Sequence, residues 1–392
     1  VPKAEKPFQI KSLLFPVFLP SFLFTIGDAG LIPIIPASAE ALGADIPTAG
    51  LIAGLAMLGT LLADIPAVKL VNRLGERKSM IYASVVAATS ILLSVFASNI
   101  WMLGAGILIT GACQAVFSLA RHGLIAEVVP PEKRGRAMAI LGGSFRGGAF
   151  VGPLIGALVI QLFNVQAVYW MVVCFSLLAG LILLSGKAGA IGNTPANHGH
   201  SILRIARREK KKLQSLGLAA VSLSVVRAAR SVGLPLWALY IHLPVSTAAL
   251  YIGIAGALDF ALFYTSGQIV DRFGRKWAAV PTLAGQGLAF LALALTHDAT
   301  GFFVVAVCLS ISNALGSGLV LVIGADLAPL DARNEFLAFY RLMNDGGVAF
   351  TPPAISLLTV LIGLPFAMAG MGAIALGGAI GMWRHIPRFD IS

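Results

Sequence analysis

Runs of apolar residues recur along the whole chain, each about 20 residues long and bounded by Gly, Pro, Asn or charged clusters. They lie near residues 11–36, 48–70, 79–98, 101–124, 136–161 and 165–186, then near 215–243, 247–268, 277–296, 300–324, 336–360 and 362–385. At 1.5 Å per residue such a run crosses the roughly 30 Å hydrocarbon slab of a bilayer as a helix. Twelve spans are therefore predicted. The first follows a short charged tail without a cleavage pattern and reads as a span, not a targeting segment. One long polar connection, 187–214, holds Lys187, Arg204, Arg207, Arg208, Lys210, Lys211 and Lys212 and divides the chain into six spans plus six. The expected domains are an N-terminal six-helix bundle over 1–186, the linker 187–214, and a C-terminal six-helix bundle over 215–392.

Composition sharpens this picture. Apolar residues make up 58% and charged residues 11% of 392, against roughly 45–50% and about 25% in soluble domains. Disordered, collagenous and coiled-coil classes fall away, and three Cys exclude a disulfide scaffold. The net charge of +11 invites a nucleic-acid reading, but its distribution argues otherwise. Of 28 Lys and Arg, only Arg121, Arg146, Arg227, Arg230 and Arg341 fall within spans away from their end residues; the rest lie in both tails, the even-numbered loops and the span ends that adjoin them, and none in the odd loops. The positive-inside rule then places both termini and the linker in the cytoplasm.

The chain also repeats itself at an offset of 199 residues. Pro36 meets Pro235, Gly54 meets Gly253, Arg73 and Gly75 meet Arg272 and Gly274, and Pro130 and Arg134 meet Pro329 and Arg333. Six spans separate equivalent positions, so the copies enter the membrane with the same orientation. The fold expected is all-α: twelve transmembrane helices in two six-helix bundles, related by a pseudo-twofold axis along the membrane normal with a cavity between them.

Gly267-Gln268-Ile269-Val270-Asp271-Arg272-Phe273-Gly274-Arg275-Lys276 resembles the G-x-x-x-D-R-x-G-R-K loop signature of the major facilitator superfamily. The first copy, Val68 to Lys78, keeps Arg73 and Gly75 but carries Val68 and Asn72 in place of the family's glycine and aspartate. On span 5, Gly148 to Ala157, with Gly152 and Pro153, looks like the G-x-x-x-G-P-x-x-G-G run of the superfamily's antiporters. Small residues at this spacing let helices approach closely, and Pro153 permits a bend. The resemblance implies a gating role for Asn72, Arg73, Gly75, Asp271, Arg272, Gly274, Arg275, Gly148, Gly152 and Pro153, and a proton-handling role for Arg121 on span 4. It further implies a bacterial inner-membrane transporter, monomeric and not an enzyme, whose partners are a small-molecule substrate, protons and lipid, with no nucleic acid.

Ionisable groups within spans cost about 2.5–3.5 kcal/mol each to insert, so they mark function or a partner. Asp28, Asp259 and Asp345, with Arg121, are the candidates for proton coupling. Asp28 ranks first because Pro33 and Pro36 must bend its helix. Arg146, Arg227, Arg230, Arg341, Phe145 and Tyr264 are the candidates for the substrate cavity. The offset pairs Arg146 with Asp345 and Asp28 with Arg227 at matched depths, and Arg341 and Asp345 stand i, i+4. Scattered His and Cys lack metal-ligand spacing, and no phosphate-binding loop is present, so neither a metal, another cofactor nor ATP is expected. The leading reading is proton-coupled export of a small amphipathic drug or metabolite by alternating access. The alternative is proton symport of a small organic anion or metabolite.

Overall fold

The computed structural model describes residues 13–185 and 202–386. Among them twelve long helices follow the predicted spans: α1 (Leu14–Ala41), α2 (Ile46–Leu74), α3 (Glu76–Val95), α4 (Ile100–Val128), α5 (Pro131–Leu162) and α6 (Val165–Ser185), then α7 (Lys210–Tyr240), α8 (Val245–Phe273), α9 (Arg275–Leu293), α10 (Ala299–Leu327), α11 (Arg333–Ile362) and α12 (Leu364–His385). The all-α fold of paired six-helix bundles is the one the hydrophobic pattern implies. Eleven of these helices are long and apolar enough to cross a membrane. The exception, α9, opens on Arg275 and Lys276 and carries Gln286 in its interior.

Two helices are interrupted where their sequences require it. Pro33 and Pro36 lack the N–H that a regular helix needs, and α1 tightens into a 3₁₀ turn over Ile32–Ile34. In α10 the regular helix stops at Leu315 and restarts at Leu319, with Gly318 at φ +77°. Only glycine adopts that conformation without strain.

Contacts sort the described residues into two compact units, one lying within 1–31 and 55–194, the other within 32–54 and 195–392. In the first, the initial part of α1 packs on α5 and α6, and α3 packs on α4 and α6. Its core joins Phe24 and Phe117, stacked with centroids 4.2 Å apart. In the second, α7 packs on α11 and α12, and α9 on α10 and α12. Segment 32–54 belongs to this unit: Ser356 Oγ donates to the Pro47 carbonyl at 2.7 Å, and Gly54 lies against the Pro352 ring.

The 199-residue repeat extends to backbone detail. Gly75 (φ +79°) and Gly274 (φ +84°) hold the same turn before α3 and α9. Asn99 and Asp298 cap α4 and α10, each accepting from the backbone N–H three residues on, at 3.0 and 3.3 Å. Helix α1 ends with Ala44 N–H bonded to Ala39 C=O, and α7 with Leu243 N–H bonded to Ala238 C=O. This end requires a left-handed residue. Gly43 supplies it at φ +88° in the first copy, and His242 at φ +54° in the second.

Candidate functional site

In the first unit the polar groups gather on α1, α4 and α5. Arg121 projects from α4 and is only 5% exposed. Its Nη2 donates to Ser118 Oγ at a long 3.4 Å, and the Phe145 ring of α5 lies 5.3 Å from the guanidinium carbon. The remaining nitrogens, Nε and Nη1, are buried without a hydrogen-bond partner. Asp28 of α1 lies within electrostatic reach of Arg121. One turn before Ser118, the Oε1 atom of Gln114 is also buried and unbonded. Arg146 follows Phe145 on α5 and is half-buried.

Asp28 is positioned by glycine. A Cβ on Gly152 would collide with the Ile26 carbonyl and lie 2.7 Å from Gly30 N, and one on Gly148 would lie 2.8 Å from Thr25 Cβ. The span-5 glycines thus press α5 onto the turns of α1 that flank Asp28. Pro153 lies within α5 beside this contact.

The second unit holds a denser network on α7, α8 and α10. Arg230 Nη2 meets Asp259 Oδ2 at 3.3 Å, and its Nη1 donates to Ser310 Oγ at 3.1 Å. Asn313 Nδ2 donates to the same Asp259 oxygen at 2.8 Å. Arg227 Nε donates to Asn313 Oδ1 at 3.0 Å, and its Nη2 donates to the Gly316 carbonyl at 2.7 Å. That carbonyl is available because α10 breaks there. On α11, Asp345, matched with Arg146 by the repeat, accepts from Arg341 Nε of its own helix at 3.2 Å. Nearby, Ser224 Oγ donates to Asn344 Oδ1 at 2.7 Å.

Sequence reasoning selected Asp259, Arg227 and Arg230 by charge but missed the neutral groups that join them. Ser310, Asn313, Gln114 and the Gly316 carbonyl carry no charge to mark them. The repeat offset would have found two, because Gln114 and Asn313 are 199 residues apart.

At the loop signatures, Arg275 Nε pairs with Asp326 Oδ2 at 2.8 Å, tying the start of α9 to the end of α10. Arg272 stacks on Phe273 at 5.3 Å, while Asn72 and Arg73 are exposed at the end of α2. The side chains of Asp271 and Tyr264 lie outside the described residues. In the first copy, Arg77 donates from Nε and Nη2 to the Leu183 and Leu184 carbonyls at 2.7 and 2.9 Å, capping α6. Its repeat-mate Lys276 lies 3.4 Å from the Trp383 ring of α12. Arg208 grips both oxygens of Asp331 at 2.6 and 2.8 Å. Beside it, Lys212 and Arg208 hold the Glu209 carboxyl below its ordinary range.

Comparison with known proteins gives these features a context. The family model described as Major Facilitator Superfamily matches residues 17–352 and 216–391. A multidrug resistance protein of Proteus mirabilis is 32% identical over 168 residues, 41% of each chain. A class E tetracycline resistance protein of Escherichia coli is 28% identical over 234 residues, 57% of each. The chain thus spans about half the length of these curated relatives. An uncharacterized MFS-type transporter of Methanocaldococcus jannaschii is 20% identical over 91% of this chain and 93% of its own. Among solved structures, a POT family transporter bound to 5-aminolevulinic acid has a TM-score of 0.77 at 12% identity, covering 95% of this chain and 94% of that one. A D-xylose–proton symporter has a TM-score of 0.74 at 16% identity, covering 97% and 98%. At these identities the structures show a shared fold.

Proposed function

The chain belongs to the Major Facilitator Superfamily of membrane transporters, and we propose that it is a proton-coupled secondary transporter carrying a small organic anion together with protons. The observation behind this reading is Arg121: a buried cation with two unbonded nitrogens, in the field of the Asp28 carboxylate.

The coupling follows from charge. While Asp28 is ionised it competes with any anion for the attraction of Arg121. A proton on Asp28 removes that competition, so the anion binds more tightly. By linkage, the bound anion raises proton affinity by the same factor. Proton and anion therefore bind together and leave together, which is symport. Discharging both internal charges as a neutral set also lowers the cost of moving the site through apolar surroundings. Alternating access would expose the loaded site to one side and then the other, in a cytoplasmic membrane with both termini inside.

Export of an amphipathic drug or metabolite is the second reading. The relatives named for multidrug and tetracycline resistance favour it, as does the Gly148–Pro153 run. A cationic substrate would compete with the proton for Asp28, and competition gives antiport.

The sign of the pH effect separates the two. In proteoliposomes, counterflow of small carboxylates should strengthen as pH falls and should drive proton movement in the same direction. Counterflow of tetraphenylphosphonium that weakens as pH falls, with no carboxylate response, would refute symport and favour export. Asp28→Asn should bind anions independently of pH and lose proton coupling.

A further inference from the structure

The two copies carry polar residues at the same three helix positions. Asp28, Thr60 and Gln114 in the first correspond to Arg227, Asp259 and Asn313 in the second. In the second copy these three bond to one another through Asn313. In the first, Thr60 turns away to the Ala56 and Gly111 carbonyls at 3.0 Å each, leaving the Gln114 Oε1 without a partner. Gln114, Ser118 and Arg121 recur at i, i+4 and i+7, so they share one face of α4. Helical side chains lean towards the N-terminus, and Arg121 does so, reaching back to Ser118. Its guanidinium therefore lies level with Ser118, roughly 6 Å along the axis from the Gln114 backbone and further from an Oε1 that leans the same way. An unbonded acceptor thus follows two unbonded cationic donors along one buried face.

We propose that Gln114 and Arg121 form a bidentate subsite for a small anion bearing its own hydrogen-bond donor. The anionic group meets Arg121 Nε or Nη1. A hydroxyl or amino group one or two carbons away donates to Gln114 Oε1; with a hydrogen bond of about 3 Å at each end, such a ligand spans roughly 9 Å. Hydroxy acids and amino acids have this pattern, whereas simple carboxylates and sulfonates lack the second donor. A buried acceptor left unbonded by a ligand without the donor provides the discrimination. This inference rests on the anion reading above and narrows it.

The test uses the purified full chain in nanodiscs and two matched probe pairs: lactate against propionate, and 3-hydroxybutyrate against butyrate. Binding is read by ligand-induced thermal shift and isothermal titration. Within at least one pair, the hydroxylated member should bind roughly three- to tenfold more tightly, the range of one hydrogen bond. Gln114→Leu should erase that preference, bringing the hydroxylated member down to the affinity of its partner. Arg121→Gln should abolish binding of both. Because Gln114→Leu removes an unbonded buried acceptor, the variant should melt no lower than the parent. Equal binding within both pairs, a preference surviving in Gln114→Leu, or failure of all four probes to bind at millimolar concentration would overturn the subsite. Proton-coupled carboxylate counterflow without any hydroxyl preference would defeat the subsite alone. Absence of all anion flux would defeat the transport reading with it.

Discussion

The contact between α5 and α1 yields a graded test from a single atom type. Alanine adds one Cβ, and four glycines of α5 differ in what that atom meets. At Gly143 it meets nothing within 4 Å, and at Gly156 its nearest neighbour is the Gly30 carbonyl at 3.5 Å, an ordinary contact. At Gly148 it would lie 2.8 Å from Thr25 Cβ and 3.0 Å from the Phe22 carbonyl. At Gly152 it would collide with the Ile26 carbonyl and approach Gly30 N to 2.7 Å. Replacing Gly within a helix gains about 1 kcal/mol of propensity. Overpacking against backbone that cannot rotate away costs about 1–3 kcal/mol or more. Gly143→Ala and Gly156→Ala should therefore hold or gain stability. Gly148→Ala should lose a little, and Gly152→Ala about 2 kcal/mol, or roughly 4–8 °C for a unit of this size. The assay is thermal unfolding in detergent, paired with counterflow on the folded fraction. Gly152→Ala should lose transport beyond its loss of folded protein, because the displaced turn carries Asp28 away from Arg121. If Gly152→Ala melts with Gly156→Ala and transports normally, the close approach of α1 and α5 is wrong.

Three further outcomes follow from single residues. Gln286 is fully buried in α9 with both amide atoms unbonded; Gln286→Leu should raise stability by about 1–3 kcal/mol, and an unchanged or lower melting temperature would mean that the amide is hydrated. His242 bears a left-handed conformation that glycine adopts freely, so His242→Gly should stabilise by up to about 1 kcal/mol and Gly43→Ala should destabilise by a similar amount; opposite signs in melting experiments would contradict the repeated helix end. Hydrogen bonds from the Thr48 side chain and from its backbone N–H, the latter at 3.0 Å, lower the pKa of the Asp45 carboxyl from 3.8. Its stabilisation is thus present above the unfolded value and lost as pH falls through the folded one. Asp45→Ala should cost about 1 kcal/mol at neutral pH, with the two proteins converging as pH drops well below 3.8.

The fold was legible because its main determinants are long-range patterns. Apolar length located the helices, and the 199-residue offset related one half to the other down to Gly75 and Gly274. Helix α9 is the instructive exception, because its charged start and Gln286 dilute the apolar signal although its packing on α10 and α12 keeps it in place. The candidate site stood out in the sequence only where it carried charge. Asp28, Arg121, Asp259, Arg227 and Arg230 stand out because charged side chains in an apolar run are costly. Ser310 and Asn313 cost far less to bury and resemble many other polar residues in spans. The Gly316 carbonyl has no side-chain signal, and its availability arises only from the break in α10. Charge also left the pairing open: nothing in spacing alone links Arg230 on α7 to Asp259 on α8.

The repeat preserves position while reversing chemistry. An aspartate in one copy stands where the other has an arginine, and a threonine where the other has an aspartate. Burying Arg227 and Arg230 is tolerable because Asp259, Asn313, Ser310 and the Gly316 carbonyl satisfy several of their donors. Removing Asp259 would leave the Arg230 guanidinium without its carboxylate and Asn313 Nδ2 without its acceptor, the costly way to break a buried pair. Such a network resists change. The first copy satisfies fewer of its groups: Arg121 retains two unbonded nitrogens, and Gln114 an unbonded oxygen. Unmet hydrogen-bonding capacity costs stability, but it can be recovered by a ligand that supplies the missing partners. If both copies had closed their networks, neither would favour binding over emptiness. If both had left them open, burial of unmet polar groups would be doubled. Divergence at the three matched positions gives one unit a connected polar core and leaves the other with unmet hydrogen-bonding capacity.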